Sequence, residues 1–171
     1  MNTLVLHLLS ADPAERERAL RHAFARFPTG VTALCALGPE GPVGMAASSF
    51  TSVSLDPALV SVCIGRGSTT WPRLAAAGRV GISVLGGEHA ELSAALAARG
   101  VDRFAGATWE ASPSGAVFLA GAPLWLECRI DRTLPAGDHD IVLFEVLGAR
   151  VDDRHDPLIF HLSQVRALET R

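Results

Sequence analysis

A glycine at a predicted helix end is the first feature that could serve a ligand. In Pro28-Thr29-Gly30-Val31-Thr32, it stands between a predicted helix and a predicted strand. A residue without a side chain lets the backbone approach a flat ligand or a neighbouring strand closely. The alternative is that the proline and the glycine only end the helix.

Small and hydroxyl-bearing residues occupy a second stretch, where bulky aliphatic side chains would normally form a core strand. It reads Gly44-Met45-Ala46-Ala47-Ser48-Ser49-Phe50-Thr51-Ser52-Val53-Ser54. Small side chains leave room for a ring system, and hydroxyls with backbone N–H groups supply neutral donors to carbonyl or phosphate oxygens. A half-exposed strand with a Ser/Thr outer face would explain the same alternation.

The third segment, Arg66-Gly67-Ser68-Thr69-Thr70-Trp71, connects a predicted strand to a predicted helix. Free N–H groups, hydroxyls and the adjacent arginine could together bind a phosphate. The lysine and the glycine spacing of a P-loop are missing. The alternative is a helix capped by Ser68, with Arg66 in solvent.

The fourth segment, Gly137-Asp138-His139-Asp140, presents a histidine between two acids at a predicted turn. An imidazole there could lie beside a dinucleotide or a reacting ring, although a histidine in a loop is commonly only solvated. Three consecutive side chains cannot all face one ion on a regular strand, and no second His or Cys stands at ligand spacing. We therefore expect no metal.

The composition argues against several classes of protein. Hydrophobic residues make up 49% and charged residues 19%, which disfavours disorder. All 15 basic residues are scattered arginines, and the net charge of −3 offers no stripe for nucleic acid. The apolar run 4–9 has no positive region before it, and no apolar segment reaches the roughly 20 residues of a membrane span. We expect a cytoplasmic protein without a signal peptide and without nucleic-acid or membrane partners.

The cysteines are too few and too widely spaced for a disulfide framework or a zinc site. Cys35, Cys63 and Cys128 are odd in number, and each lies in an apolar stretch. We predict that all three are reduced and buried as small hydrophobic residues.

The hydrophobic pattern predicts many strands and few helices. A first helix begins at the N-cap Asp12, helped by Pro13 and by Glu15 as in a capping box. Its apolar stripe consists of Leu20, Ala23, Phe24 and Phe27. Further helices are predicted from residue 68 to about 77 and over 88–99.

Strands are predicted over 31–37, 43–53, 58–64, 80–85, 124–132, 141–151 and 158–162, with a long loop over 100–120. Strands and helices do not alternate regularly. We therefore predict a mainly β fold, a closed antiparallel barrel with decorating helices, in one domain over residues 1–171.

Taken in order, these segments resemble the flavin reductase family, the reductase components of two-component flavin-dependent monooxygenases. The resemblance covers about residues 20–168. It also includes Leu55-Asp56-Pro57, Val60-Ser61-Val62-Cys63-Ile64, Asp102-Arg103-Phe104 and Leu126-Glu127-Cys128. Two positions depart from the family pattern: Ala46 replaces a frequent threonine, and Val165 replaces a frequent aromatic residue before Arg166.

The resemblance implies the FMN-binding split barrel, a Greek-key-like antiparallel fold, as a homodimer with flavin near the subunit interface. It implies FMN or FAD as cofactor, NADH or NADPH as electron donor, and an oxygenase that receives the reduced flavin. His139 is the implied catalytic residue, where the nicotinamide docks. The implied ring and ribityl contacts are Pro28, Thr29, Gly30, Val31, Thr32, Met45, Ala46, Ala47, Ser48, Ser49, Phe50 and Cys63. The implied phosphate contacts are Ser52, Ser68 and Thr69, with Arg66 or Arg103.

Two alternatives use the same barrel. One is a flavin-binding protein without catalytic activity. The other is a reductase that retains its flavin and acts on a carbonyl or alkene substrate.

Overall fold

The computed structural model describes residues 12–166 and residue 168. The apolar run 4–9 therefore lies outside the described residues. The helices of the described part are α1 (Pro13–Phe24), α2 (Trp71–Ala75) and α3 (Ala90–Ala97), with a 3₁₀ turn at Gly87–His89 before α3. Its strands are β1 (Thr29–Gly30), β2 (Thr32–Gly38), β3 (Gly41–Ala47), β4 (Thr51–Leu55), β5 (Ala58–Gly65), β6 (Val80–Val84), β7 (Trp109–Ala111), β8 (Val117–Leu119), β9 (Leu124–Ala136), β10 (His139–Val151), β11 (Ile159–His161) and β12 (Gln164–Arg166).

Seven strands form one antiparallel sheet in the order β3-β2-β6-β9-β10-β5-β4. Its two end strands, β3 and β4, follow one another in the chain, and the sheet curls until β3 contacts β5. The barrel is thus closed by packing on one side, where no backbone ladder joins β3 to β4. This confirms the predicted antiparallel barrel. The gap in its backbone pairing lies at the glycine- and serine-rich stretch between β3 and β4.

Strand β2 is buried on both faces, which explains its continuous apolar run. Leu34 and Ala36 point into the barrel interior, whereas Ala33 and Cys35 face a second core. That second core lies between β2, α3, β8 and the segment before β11, and includes Leu96, Val117, Leu119 and Leu158. The barrel is therefore covered on one side by α3 and the β7–β8 hairpin.

Helix α1 begins as predicted, because the Asp12 carboxylate accepts hydrogen bonds from the N–H groups of Ala14 and Glu15 at 3.0 and 3.3 Å. Its apolar stripe, however, does not face the core. The helix contains no buried residue, and Phe24 and Phe27 are 70% and 74% exposed. Backbone bonding of Leu162 N–H to the Ala25 carbonyl attaches the end of the helix to the barrel.

Four predicted elements are corrected. The strand predicted over 43–53 is divided at residues 48–50, because β3 pairs with β2 while β4 pairs with β5 on the other end of the sheet. The loop predicted over 100–120 contains the hairpin β7–β8, whose residues 116–119 are buried. The predicted helix from 68 to 77 is shorter and begins at Trp71. The strand predicted over 158–162 is followed by a second one, β12.

The hairpin β9–β10 is longer than predicted, because pairing continues, with two register shifts, from Leu124 with Val151 to Ala136 with His139. The connecting turn consists only of Gly137 and Asp138, and Gly137 has a φ of +68°, a conformation that favours glycine. His139 is therefore the first residue of a strand and not part of a flexible loop.

The prediction that all three cysteines are buried is wrong for Cys63. Cys35 and Cys128 are buried, but Cys63 is exposed, because its side chain lies on the outer face of β5. In the described part of the chain, no helix has both the length and the apolar character needed to cross a membrane.

Candidate functional site

The junction between β3 and β4 is held by side-chain hydroxyls. The Thr32 hydroxyl donates to the Ala47 carbonyl at 3.0 Å, which ties β2 to the end of β3. The Ser49 hydroxyl accepts from the Cys63 N–H at 2.9 Å and donates to the Cys63 carbonyl at 3.2 Å. The Ser49 hydroxyl thus satisfies the backbone N–H and carbonyl of Cys63, at a position of β5 that does not pair with β4.

A cavity of about 380 Å³ opens beside this junction, within the roughly 300–1,000 Å³ range of small-molecule sites. It has an apolar part from Met45, Ala46 and Leu96 and a polar part with hydroxyls and two guanidinium groups. Its polar lining comprises Ser68, Thr69, Thr70, Arg99 and Arg103, and Gly65 and Gly67 complete the wall. A flat ring with a polar, anionic tail fits this division.

Arg103 is the anchor of the cavity wall. Its guanidinium donates to the Ala98 carbonyl from Nε and Nη2 at 2.9 and 2.6 Å, and to the Gly44 carbonyl and the Thr70 hydroxyl from Nη1 at 2.9 and 2.7 Å. All of these acceptors are neutral, so the positive charge of Arg103 remains available to an anion.

His139 lies at the edge of the same cavity, paired across the sheet with Gly65. Its Nδ1 lies 2.7 Å from Asp138 Oδ1, and a Cβ added at Gly65 would be 3.6 Å from Nε2. The hydrogen bond to His139 and the charge of Arg21 lower the pKa of Asp138. The ionised carboxylate accepts from Nδ1–H, which leaves Nε2 facing the site as the second ring nitrogen.

Arg66 does not reach the cavity. Its Nε donates to Asp140 Oδ1 at 3.0 Å, and its backbone N–H donates to the Asp138 carbonyl. The predicted alternative holds in part, because the Ser68 hydroxyl accepts from the Trp71 N–H at 3.1 Å and the Arg66 side chain is 48% exposed although it forms this ion pair. Arg66 braces the turn that carries His139, and Arg103 is the arginine that lines the cavity.

The structure brings together five of the predicted cofactor-binding residues around the cavity, namely Met45, Ala46, Ser68, Thr69 and Arg103. Others lie on the outer surface: Pro28, Ser48, Ser52 and Cys63 are exposed. The side chains of Val31 and Thr32 are buried within the protein, so a ligand beside that segment would meet Thr29 and Gly30. The remaining predicted contacts, Ala47, Ser49 and Phe50, are partly buried.

Four residues of the cavity lie outside the segments that the sequence singled out, namely Gly65, Leu96, Ala97 and Arg99. Gly65 ends β5, where a glycine is typical of a strand end, and Arg99 follows α3, where an arginine is typical of a helix C-terminus. Neither position carries a local signal for a ligand. Only the approach of β3, β5 and α3 in the fold brings them together.

The two buried thiols and the acidic groups offer no other reaction centre. Burial raises the pKa of Cys35 and Cys128 to about 12, so both stay protonated at neutral pH. No cluster of three metal-ligating side chains is found in the residues that the structure describes.

Thr29 holds a buried hydroxyl with no hydrogen-bond partner among the described residues. An unpaired buried hydroxyl is destabilising, so we expect Thr29→Val to raise the free energy of unfolding by up to about 1 kcal/mol. Thr32→Val is the matched control, because it removes a hydroxyl that is bonded to Ala47. It should lower the free energy of unfolding by about 1–2 kcal/mol. Urea denaturation measures both, and equal effects of the two variants would contradict the prediction.

Comparison with known proteins was made on the sequence and on the fold. A family model described as "Flavin reductase like domain" matches residues 24–169. The chain is similar to the FMN reductase (NADH) SmoA of Agrobacterium fabrum, with 40% identity over 146 residues that cover 85% of this chain and 83% of the relative.

Two solved structures have the same fold. The Streptomyces globisporus C-1027 NADH:FAD oxidoreductase SgcE6, in complex with NAD and FAD fragments, has a TM-score of 0.84 and 38% identity, covering 93% of this chain and 96% of that one. BorF, the flavin reductase component of a bacterial two-component tryptophan halogenase, has a TM-score of 0.82 and 36% identity. The match covers 91% of this chain and 99% of BorF.

Proposed function

This chain belongs to the family of proteins with a flavin reductase like domain, and from that premise we propose that it uses NADH or NADPH to reduce FMN or FAD. The family and the split-barrel fold implied by the sequence resemblance are thereby confirmed. The reduced flavin is then supplied to a partner monooxygenase; BorF is likewise named as the flavin reductase component of a two-component enzyme, a tryptophan halogenase. We treat residues 1–171 as one flavin reductase domain, because both cores share strand β2.

The observation that carries this proposal is the composition of the cavity beside His139. Its apolar side, with Met45, Ala46 and Leu96, suits the isoalloxazine ring, while Ser68, Thr69 and the arginines suit the ribityl chain and phosphate. Small residues and hydroxyls at the β3–β4 junction remain at the surface and do not fill the barrel interior. A flavin therefore fits the residues that are present.

A flavin held in this cavity would supply the hydride-accepting chemistry, which belongs to the two cofactors and not to the protein. The protein contributes position. We assign Thr29, Gly30 and the predicted contacts from Met45 to Phe50 to one side of the ring, and Ser52, Ser68, Thr69 and Arg103 to the phosphate side. A binding site that holds the two rings in contact lowers the activation free energy by several kcal/mol, because it turns an encounter of two molecules into a unimolecular step.

His139 positions the nicotinamide in this proposal. Its Nδ1–H is engaged by Asp138, so the ring orientation is fixed and Nε2 is directed towards Gly65 at the cavity edge. From there it can bind the carboxamide of the nicotinamide or balance the charge of the oxidised ring. No proton transfer through the protein is required for the hydride step.

We further propose a homodimer that covers the open side of the site. The apolar stripe of α1 with Phe24 and Phe27 is exposed, and the tip of β4 carries Leu55, which is 96% exposed. Packing of these side chains against a second copy of the chain would remove their apolar surface from water. Light scattering should give a mass near twice the 18.0 kDa of one chain.

The reduced flavin leaves to serve the oxygenase, so we expect moderate affinity and loss of flavin on dialysis. The reduced thiols Cys35 and Cys128 fit a cytoplasmic enzyme that draws on NADH or NADPH.

The decisive test is consumption of NADH and NADPH by the purified protein with added FMN or FAD. We expect turnover that depends on added flavin and needs no further organic substrate. Flavin binding without NAD(P)H oxidation would identify a non-catalytic binding protein instead. Activity only with a carbonyl or alkene, with the flavin retained, would identify the second alternative.

A further inference from the structure

We propose that His89 is a positioning residue for the flavin site, because it holds the N-terminal end of α3, whose other end forms one wall of the cavity. The inference rests on the proposed function and deepens it, since it names a residue outside the cavity that sets how tightly the flavin is bound. His89 does not itself line the cavity.

The imidazole of His89 connects two backbone groups from different segments. His89 is 8% exposed and lies directly before the first residue of α3. Its Nδ1 accepts from the Gly86 N–H at 2.9 Å, and its Nε2–H donates to the Ala120 carbonyl at 2.8 Å. Both ring nitrogens are thus engaged in a single tautomer, which fixes the orientation of the ring. This bridge joins the turn before α3 to the turn after β8.

The opposite end of α3 reaches the flavin cavity. Leu96 and Ala97 of the last turn line the cavity, as does Arg99 just beyond the helix. The eight residues of α3 make a helix about 12 Å long, and a regular helix carries a tilt at one end through to the other. The place of this wall therefore depends on how the N-terminal end of α3 is held.

Helix α3 is anchored at both ends by a side chain. At the C-terminal end, Arg103 donates to the Ala98 carbonyl at 2.9 and 2.6 Å. At the N-terminal end, the bridge through His89 does the same work with neutral groups. Loss of the Arg103 anchor would also remove a charge from the cavity, whereas loss of the His89 anchor leaves every lining residue in the chain. His89 thus offers a way to change the position of the wall without changing its composition.

The backbone packs closely around the imidazole. A Cβ added at Gly86 would lie 3.6 Å from Nδ1 of His89, and one added at Gly121 would lie 3.6 Å from its Cε1. Because Gly86 is buried, its N–H group is costly to leave without an acceptor. A side chain that cannot accept this hydrogen bond forces the turn to shift until another acceptor is found, and α3 shifts with it.

Isothermal titration calorimetry and steady-state kinetics, each with FMN and with FAD, test the proposal. His89→Leu removes both hydrogen bonds, so we expect the Kd and KM for the flavin to rise about 10-fold, as for a wall displaced by a fraction of an ångström. The value of kcat should change less than 2-fold, because His139 at the nicotinamide edge belongs to β10 and not to α3.

Two further variants make the result specific to the bridge. His89→Gln should restore the Kd and KM to within 2-fold of the wild type, because a carboxamide supplies one acceptor and one donor. His155→Gln is the matched control. It removes a nearby imidazole whose Nδ1 lies 3.4 Å from Glu88 Oε1 and which does not line the cavity. Both constants should stay unchanged in that variant.

Hydrogen exchange of the backbone amides follows α3 without any turnover. We expect the amides of residues 90–97 to exchange faster in His89→Leu than in the wild type and in His89→Gln. If His89→Leu does not fold, His89→Asn takes its place, because the shorter amide can accept from Gly86 but cannot reach Ala120. The Kd for the flavin should then rise about 3-fold.

A wild-type Kd for the flavin in the folded His89→Leu or His89→Asn protein would overturn the inference. Equal losses in His89→Leu and His89→Gln would do so as well. A smaller fraction of active enzyme at unchanged KM and Kd would show that His89 only stabilises the fold, and would equally contradict a positioning role. Flavin binding by the wild type without oxidation of NADH or NADPH would remove the proposed function alone, because the calorimetric comparison needs no turnover.

Discussion

Replacing His139 with alanine is expected to lower kcat/KM for NADH by about 100-fold, or about 2.7 kcal/mol of transition-state stabilisation. The imidazole is the titratable ring at the cavity edge, where it faces Gly65 and is oriented by Asp138 at 2.7 Å. In the proposed arrangement the nicotinamide would lose the contact that holds it against the flavin, and a displacement of about 1 Å is enough for a loss of this size. Steady-state kinetics with NADH as the varied substrate measures the effect.

Two controls separate a positioning effect from a structural one. The Kd of the flavin, measured by calorimetry, should change less than 2-fold in His139→Ala, because the side chain is 47% exposed and lies outside both cores. Asp138→Asn keeps the imidazole but removes the carboxylate that orients it, and should cost only about 10-fold. Unchanged KM and kcat for NADH in His139→Ala would refute the assignment.

Arg103→Lys is expected to lower the free energy of unfolding by about 3 kcal/mol, although the charge is retained. The guanidinium makes hydrogen bonds to three different residues, Ala98, Gly44 and Thr70. A lysine ammonium cannot reproduce this forked geometry, and hydrogen bonds from a charged donor are worth about 1.5–3 kcal/mol each. Urea denaturation monitored by tryptophan fluorescence gives the value.

The same variant should also impair the site, because Arg103 lines the cavity. We expect weaker binding of both FMN and FAD. Arg79→Lys is the matched control, since Arg79 donates only to the neighbouring Gly78 carbonyl. It should stay within about 0.5 kcal/mol of the wild type. Equal stability of Arg103→Lys and Arg79→Lys would show that the forked bonds contribute nothing.

Much of the candidate site could be predicted from the sequence because its residues recur in order as short motifs. Met45, Ala46, Ser68, Thr69 and Arg103 were all anticipated, and they line one cavity. The function of Arg103 was not, because a residue type does not reveal whether a guanidinium meets a ligand or three backbone and side-chain oxygens. Arg99 and Gly65 carry no local pattern, since a helix end and a strand end place such residues for structural reasons alone.

The sequence by itself determined most of the elements and the antiparallel, mainly β character of the fold. Three features depend on local interactions: the Asp12 cap of α1, the continuous apolar run of β2 and the turn at Gly137. Capping, hydrophobic periodicity and backbone freedom each act over only a few residues. Only the tertiary structure decided where the sheet opens. The residues from Val43 to Val53 carry no local signal for a break, yet β3 and β4 lie at opposite ends of the sheet.

The same holds for close contacts between distant segments. Gly81 is required because a Cβ there would collide with the carbonyl oxygen of Val117. Val117 belongs to a hairpin that local patterns did not reveal. The apolar stripe of α1 was read correctly, but its exposure depends on which surfaces the barrel leaves uncovered. Local rules specify what each segment can form, whereas packing between segments far apart in the chain sets which surfaces meet and which cavity remains.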